Sequence, residues 1–171
     1  MLRDVAPTDA APLARLGRES FCAAFADIYR EEDLSRFLEE TYSERVIAAE
    51  IADPDVVHRV IANDNNILLA FIKLRLTSPY AAMSDAVRPL ALAQLYTDAA
   101  HTGQGLGAQL MDWCLAYAQR EGRGAVQLSV YAENPGAQRF YRRYGFEKIA
   151  DIDFWVGDHR DDEYLFERRL P

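Results

Sequence analysis

LALAQLYTDAAHTGQGLGAQLMDWCLAYA, residues 90–118, is the stretch of sequence that decides the fold. It opens with a continuous apolar run between Pro89 and Asp98, and such a run predicts a β-strand covered on both faces. Glycines stand at every second position from 103 to 107, and apolar residues then recur at helical spacing as far as Gly122. The stretch therefore predicts a strand, a glycine loop, and a helix that begins inside the loop.

The glycine loop has the features of an anion site. A helix that starts from such a loop directs several backbone N–H groups at one point, and its dipole adds positive potential there. Glycines also let a diphosphate approach the backbone without meeting a Cβ, although a simple chain reversal is the alternative. No G-K-[ST] motif is present, and a dinucleotide fingerprint, which tolerates Ala108, lacks the acidic residue expected after the strand that ends at Tyr131.

The elements predicted before and after residues 90–118 complete a mixed α/β pattern. Three helical patterns precede Pro54, the first of them capped by Thr8 or Asp9. The runs VVHRVIA and ILLAFIKLRL flank the turn-forming NDNN and predict an antiparallel hairpin. After the glycine-loop helix come a strand, AVQLSVYA, and a short helix that Asn134 and Pro135 open and Gly145 ends. Two final strands follow, joined by the polar turn GDHRDD.

Composition limits the class of protein. A chain of 171 residues predicts one domain, 1–171, and a formal net charge of −8 argues against a nucleic-acid partner and for a cationic one. Cys22 and Cys114 lie in unrelated apolar patterns, which predicts buried free thiols and no metal site. No apolar run is long enough for a signal peptide or a membrane span, so we expect a cytoplasmic protein without a membrane partner.

Two motifs in order resemble the GNAT family of acetyl-CoA-dependent N-acetyltransferases. TGQGLG resembles the family's pyrophosphate signature, with Thr102 in place of the usual Arg or Gln, and NPGAQRFYRRYGF matches its N-x-x-A-x-x-F-Y-x-x-x-G-F segment. The segments ESFCAAF and DFWVGDHRDDEYLFERRL are similar to those of bacterial spermidine/spermine acetyltransferases. The resemblance implies a central, twisted, mostly antiparallel sheet of about seven strands flanked by helices, with acetyl-CoA as cosubstrate and no metal.

The resemblance also implies roles for particular residues. Asn134 would hydrogen-bond the coenzyme, Tyr141 would lie near the thioester sulfur, and Arg142 or Arg143 could reach the ribose phosphate, although a pair of surface arginines is an equal alternative. The main chain at the end of the strand would pair with the pantetheine arm, and the glycine loop would hold the pyrophosphate. These two groups are Leu95, Tyr96 and Thr97, and Thr102, Gly103, Gln104, Gly105, Leu106, Gly107 and Ala108.

Tyr141 has two interpretations. Its helical face, shared with Ala137, Phe140 and Tyr144, is typical of an ordinary core aromatic. The motif favours catalysis instead, because a phenol with a pKa of about 10 is protonated at neutral pH and can donate its proton to the departing thiolate.

The proton acceptor for the amine has no assignment. Many GNAT enzymes carry a glutamate on the strand before the glycine loop, but this chain has Ala91, Leu92, Ala93 and Gln94 there. Glu133, Asp98 and His101 lie in loops, where solvated side chains are the simpler interpretation. An amine that arrives already deprotonated would need no dedicated base.

Acidic residues near the carboxyl terminus favour a polycationic acceptor. Asp158, Asp161, Asp162 and Glu163 could steer one by charge, with solvated turn carboxylates as the alternative. The resemblance to spermidine/spermine acetyltransferases implies an acetyltransferase acting on a polyamine or another small primary amine. A protein or peptide acetyltransferase and an acyl-CoA-binding module without turnover are the alternatives, and the oligomeric state is open, a homodimer included.

Overall fold

The computed structural model describes all residues from 1 to 171. Its five α-helices are α1 (Ala10–Phe25), α2 (Glu31–Tyr42), α3 (Glu44–Ala52), α4 (Leu106–Arg120) and α5 (Pro135–Arg143). Its seven strands are β1 (Leu2–Asp4), β2 (Val56–Ala62), β3 (Leu68–Arg75), β4 (Leu90–Thr97), β5 (Ala125–Tyr131), β6 (Glu147–Val156) and β7 (His159–Arg169). No helix has both the length and the apolar character that crossing a membrane requires.

The strands form one sheet in the order β1-β2-β3-β4-β5-β7-β6. Every neighbouring pair is antiparallel except β4 and β5, which are parallel. This architecture confirms the predicted mixed α/β class with a mostly antiparallel seven-stranded sheet. The residue patterns did not predict β1, because three residues are too few to show a period.

Helices cover both faces of the sheet. On one face, α1 and α3 contribute Leu13, Leu16 and Ile47 to a buried cluster with strand residues such as Phe71. On the other face, Leu110, Met111 and Cys114 of α4 pack against residues such as Ile72. Adjacent residues of one strand point to opposite faces, so Phe71 and Ile72 serve different helices. This arrangement fixes the glycine-loop helix against the centre of the sheet.

Strand β4 is irregular at its midpoint, and the irregularity opens the sheet. The register with β3 shifts so that Ala93 is an extra residue between Leu92 and Gln94. On the other edge, β4 pairs with β5 only at Leu90 and Ala91. The two parallel strands therefore diverge after Ala91. The expectation of a strand covered along its whole length is wrong for the second half, where Ala93 is exposed and the following residues are half-buried.

The final hairpin differs from the sequence expectation. The turn is only Gly157 and Asp158, and the residues predicted as the rest of a polar turn belong to β7. Gly157 has a φ of +58°, and a Cβ there would collide with Asp33 Oδ1. Asp33 in turn accepts a hydrogen bond of 2.9 Å from the Asp158 N–H. The contact between α2 and the turn holds the β6–β7 hairpin in place.

The two cysteines differ in environment. Cys114, on the inner face of α4, is buried in the core as predicted, whereas Cys22 is only half-buried on α1. Both are free thiols. The expectation of two buried thiols is therefore wrong for Cys22, because the face of α1 that carries Cys22 packs only partly against the cluster around Phe21.

Candidate active site

The glycine loop leaves open space in front of its main chain. Gly103 and Gly105 have φ values of +76° and +77°, a backbone conformation that side chains with a Cβ disfavour. A Cβ placed on either glycine would meet nothing within 4 Å. Gly107 lies in the first turn of α4, where a Cβ would make an ordinary contact of 3.9 Å with Phe140. Gly103 and Gly105 are therefore needed for the positive-φ backbone conformation and for the open space in front of the main chain, and not for tight internal packing.

Main-chain N–H groups at the start of α4 face this space without partners. The first hydrogen bond that joins α4 to the loop before it runs from the Gln109 N–H to the Gly105 carbonyl, at 3.1 Å. No backbone hydrogen bond joins the N–H groups of residues 103–108 to an acceptor outside the helix, and the helix itself offers them none. Such a row of free donors at a helix N-terminus fits a diphosphate. Of the side chains in the loop, Thr102 donates from Oγ1 to the Ala99 carbonyl, at 3.2 Å, and Gln104 is exposed.

The diverging strands supply a second binding edge. Leu95, Tyr96 and Thr97 pair on one side with β3, opposite Ile72, Phe71 and Ala70. On their other side the pairing with β5 has already ended. The free edge of β4 can therefore take an extended amide-bearing chain such as pantetheine as an added strand.

Helix α5 carries the remaining predicted residues. Asn134 caps the helix, because its Oδ1 accepts a hydrogen bond of 3.0 Å from the Ala137 N–H, which leaves its side-chain amide as a donor. Both Asn134 and Tyr141 line a cavity where β4 and β5 part. Arg142 and Arg143 lie over aromatic rings, at 5.5 Å from the Phe166 centroid and 5.8 Å from the Phe140 centroid.

This cavity, of about 160 Å³, is the central feature of the site. Most of its wall is apolar or aromatic, and no Lys, Arg or His side chain lines it. Its aromatic residues come from five different elements and from the segment after α1: Phe21, Phe25, Tyr29, Tyr96, Tyr131, Tyr141 and Phe154. Burial raises the pKa of the Tyr141 phenol well above 10, with smaller contributions from Tyr96, Cys114 and Glu163. The phenol is therefore protonated at neutral pH.

Glu163 is the one carboxylate in the cavity wall. The sequence indicates it only as a residue that could steer a cationic acceptor by charge, and does not predict its place in the site. Glu163 lies on β7 opposite Tyr131 of β5, its side chain is buried, and its Oε2 has no hydrogen-bond partner. Burial raises the pKa of Glu163 to about 7. The Ser129 hydroxyl lowers it and the charge of Asp161 raises it further. The interpretation of Glu163 and Asp161 as solvated turn carboxylates is wrong, because both side chains point inward from a strand.

A signal for Glu163 was present in the sequence. The polar turn GDHRDD ends at Asp162, so the predicted final strand already began at Glu163, and strand alternation places Glu163 on the same face as the buried Leu165. Applying that alternation from the first residue of the strand would have turned Glu163 inward. The polar composition of the segment concealed that possibility.

The loop residues weighed as bases lie outside the cavity wall. Asp98 Oδ1 is 2.9 Å from His101 Nδ1 and accepts a hydrogen bond of 2.9 Å from the Ala100 N–H, in the turn before the glycine loop. Glu133 is exposed beside Tyr131. The β4 positions Ala91 to Gln94 bring no carboxylate to the site. Glu163 is thus the acidic side chain that the fold brings beside Tyr141.

A second cavity, of about 270 Å³, adjoins the first. The two share Leu92, Ala93 and Gln94 at the β4 irregularity, together with neighbouring aromatic residues. Lys73 and Arg75 line the second cavity and bond Glu50, at 2.9 Å and 3.3 Å. The positive charges on this side are thus partly neutralised. No group of three or more His, Cys, Asp or Glu side chains is arranged to hold a metal ion.

The buried carboxyl of Glu163 predicts a stability change with a definite sign. The unfolded chain ionises Glu163 above pH 4.5, whereas the folded chain keeps it protonated to about pH 7. Stability is therefore lost as pH rises through this window, by at most ~3 kcal/mol. We expect Glu163→Gln to unfold several degrees above the wild-type chain at pH 8, with a much smaller difference at pH 5.

Thermal unfolding followed by circular dichroism at the two pH values measures this effect. Glu167→Gln is the matched control, because Glu167 is buried on the same face of β7 but is paired with Gln127 and Arg169. Its replacement should lower stability at both pH values. A Glu163→Gln chain that is less stable than wild type at pH 8 would contradict the description of Glu163 as a buried acid whose pKa is raised by burial.

Comparison with known proteins agrees with this geometry. Residues 21–146 match the model of the acetyltransferase (GNAT) family, and the chain belongs to that family. An uncharacterised N-acetyltransferase of Lactobacillus delbrueckii subsp. lactis is 26% identical over 168 residues, which are 97% of this chain and 95% of the relative. A spermidine N(1)-acetyltransferase of Thermoplasma acidophilum is 26% identical over 156 residues, 89% of this chain and 90% of that protein.

A solved structure shares the fold along almost the whole chain. The PaiA N-acetyltransferase of Thermoplasma acidophilum, crystallised with coenzyme A, superposes with a TM-score of 0.80 at 22% identity and covers 99% of this chain and 98% of its own. The family establishes the class of reaction: this chain is an N-acetyltransferase whose acetyl donor is acetyl-CoA.

Proposed function

We propose that this enzyme transfers the acetyl group of acetyl-CoA directly to a small primary amine, with a polyamine as the preferred acceptor. The observation that carries the proposal is the aromatic cavity at the divergence of β4 and β5, where the Tyr141 phenol and the Glu163 carboxyl both line the wall. Because the first and last strands along the chain, β1 and β7, belong to the same sheet, we further propose that residues 1–171 act as a single domain.

The cavity suits an ammonium group attached to a methylene chain. Aromatic faces attract alkylammonium ions by cation–π interaction, and Phe25 and Tyr131 meet edge to face with centroids 6.1 Å apart in this wall. The methylene groups of the acceptor would pack on the apolar surface, and the buried carboxyl supplies the opposite charge.

A second positive charge on the acceptor also has a place to bind. A surface groove beside the cavity shares Tyr131 with it and is lined by Glu133, Asp161 and Asp162, together with His159 and Arg160. Asp161 accepts a hydrogen bond of 2.5 Å from the Tyr29 hydroxyl, a group that lines the cavity. An acceptor with two amines could therefore place one in the cavity and the other beside these carboxylates. The spermidine acetyltransferase among the relatives supports the same substrate class.

The donor side follows from the family and the local geometry. The free N–H groups of residues 103–108 would bind the diphosphate, and the free edge of Leu95 to Thr97 would pair with the pantetheine arm. The Asn134 amide would donate to the coenzyme. Tyr141 would then protonate the sulfur as the C–S bond breaks, which makes the thiol a better leaving group than the thiolate.

A thiol-release assay with acetyl-CoA tests the proposal. The acceptors are spermidine, spermine, 1,4-diaminobutane, butylamine and a lysine-containing peptide. We expect turnover with the polyamines, and a kcat/KM for the diamine at least ~10-fold above that for the monoamine of the same length, falling as salt is added. Release with the peptide alone would assign a protein acceptor instead, and coenzyme binding without release from any acceptor would indicate a module without turnover.

A further inference from the structure

The attacking amine must lose a proton. Strand β4, on which many GNAT enzymes carry a glutamate, has no group here that could accept it. An alkylammonium with a pKa near 10.4 is almost fully protonated at pH 7, and only the free amine has the lone pair that attacks a thioester. The β4 positions that face the cavity are Leu92, Ala93, Gln94, Leu95 and Tyr96, none of which can take this proton at neutral pH. The acceptor must come from another element or from solvent.

We propose that Glu163 of β7 is the catalytic base that takes the proton from the attacking ammonium. This inference rests on the proposed amine acetyltransferase function and adds a residue to it. Glu163 lines the same cavity as Tyr141, on a strand that pairs with β5 across the opening from β4. Its Oε2 is buried and has no hydrogen-bond partner, so an ammonium bound against it would satisfy an acceptor that the protein leaves unpaired.

The groups around Glu163 leave it able to exchange a proton near neutral pH. The titratable groups that face it are Tyr29 after α1, Tyr80 before β4, Tyr96 on β4, Tyr131 on β5, Tyr141 on α5 and Asp161 on β7. Five of these are phenols whose pKa is raised, so they are neutral at pH 7, and Asp161 is the one negative neighbour. No cationic side chain lines the cavity to hold Glu163 permanently ionised.

The reaction balances with these two residues. Glu163 takes one proton from the ammonium, and the freed nitrogen lone pair forms the C–N bond with the thioester carbonyl carbon. As the C–S bond breaks, its electron pair leaves on sulfur, and Tyr141 donates its phenolic proton there. The second nitrogen proton returns to the phenolate, and the proton on Glu163 passes to solvent. One acetyl amide, one free thiol and one released proton result from each ammonium and thioester.

The pH profile of Glu163→Gln tests this role. For wild type with spermidine, we expect kcat/KM to rise to a plateau above about pH 7, where Glu163 is ionised. For Glu163→Gln we expect a loss of about 100-fold at pH 7 and a continuous tenfold rise per pH unit toward the pKa of the amine, because only free amine then reacts. The affinity for acetyl-CoA, measured by calorimetry, should be unchanged.

An acceptor that needs no deprotonation separates catalysis from structure. With 2,2,2-trifluoroethylamine, which is mostly unprotonated at pH 7, we expect wild type and Glu163→Gln to differ by less than ~3-fold. Glu167→Gln, which removes a buried carboxyl on the same face of β7 away from the cavity, should keep the wild-type pH profile.

The outcomes distinguish the two proposals. If wild type acetylates amines and Glu163→Gln keeps both the rate and the plateau near pH 7, the role of Glu163 is overturned while the proposed function stands. An equal loss with spermidine and with trifluoroethylamine would overturn it as well, because Glu163 would then support the cavity structurally. If wild type releases no thiol with any amine, both proposals fail.

Discussion

Gly107→Asp should bind coenzyme A at least ~100-fold more weakly than the wild-type chain while folding at least as stably. Gly107 is the second residue of α4, and a Cβ there makes only an ordinary contact with Phe140. A carboxylate in the first turn of a helix interacts favourably with the dipole, and glycine is a poor helix residue. The substitution should therefore leave the free energy of unfolding unchanged or slightly raised.

The weaker binding follows from charge. The N–H groups of residues 103–108 are free donors at the positive end of α4, and the proposal places the diphosphate against them. A carboxylate about 4 Å from a phosphate charge costs between about 1 kcal/mol in water and about 4 kcal/mol at a partly buried site. A loss of ~3 kcal/mol in affinity corresponds to slightly more than 100-fold in Kd.

Gly107→Asn separates charge from bulk, because asparagine has the shape of aspartate without its charge. We expect Gly107→Asn to weaken binding by no more than ~10-fold, and the defect of Gly107→Asp to shrink as salt is added. Calorimetric titration with coenzyme A at low and high salt measures both effects. Equal Kd values for Gly107→Asp and wild type would remove the diphosphate from the first turn of α4.

The elements that carry the proposed donor side were predictable because their determinants are local. Gly103, Gly105 and Gly107 are adjacent in sequence, and the turn from strand to helix needs only those residues and the apolar spacing that follows them. The same holds for α5, where Asn134 and Pro135 form the cap that the sequence predicted. Local chemistry therefore located the strand, the loop and both helices, whereas the role of Tyr141 was implied by the resemblance to the GNAT family.

The proposed acceptor side was not predictable from local sequence, because it forms only when strands that are distant in the chain pair with one another. Glu163 reaches the cavity only because β7 lies between β5 and β6 in the sheet, and the residue period alone does not give that order. The turn was expected to extend through Asp162, but Gly157 and Asp158 suffice, with Asp33 of α2 bonding the turn. Shortening the turn moves Asp161 onto the strand that carries Glu163, and the alternation of the strand turns both side chains inward.

Tyr141→Phe should lower kcat by at least ~100-fold and leave the affinity for acetyl-CoA within about threefold of wild type. The phenol lies in the cavity wall beside Glu163, and its raised pKa keeps it protonated through neutral pH. Removing a general acid typically costs 10²–10⁴-fold in rate, because the thiolate must then leave without a proton. The ring is retained, so the contacts with Phe140 and Phe146 that position it should persist.

Tyr141→Phe removes only the hydroxyl and keeps the ring, so any change reports on the hydroxyl. Tyr144→Phe, on the same segment, is the control. The Tyr144 hydroxyl lies 3.4 Å from the Ala108 carbonyl, outside the cavity wall, so its removal should leave kcat within about twofold of wild type. Single-turnover measurement with saturating acetyl-CoA isolates the chemical step from release of the thiol. If Tyr141→Phe keeps the wild-type single-turnover rate, the sulfur receives its proton from another group. A rise in the Kd for acetyl-CoA equal to the loss in kcat/KM would instead make Tyr141 a binding residue, because the defect would then lie in the complex and not in the breaking of the C–S bond.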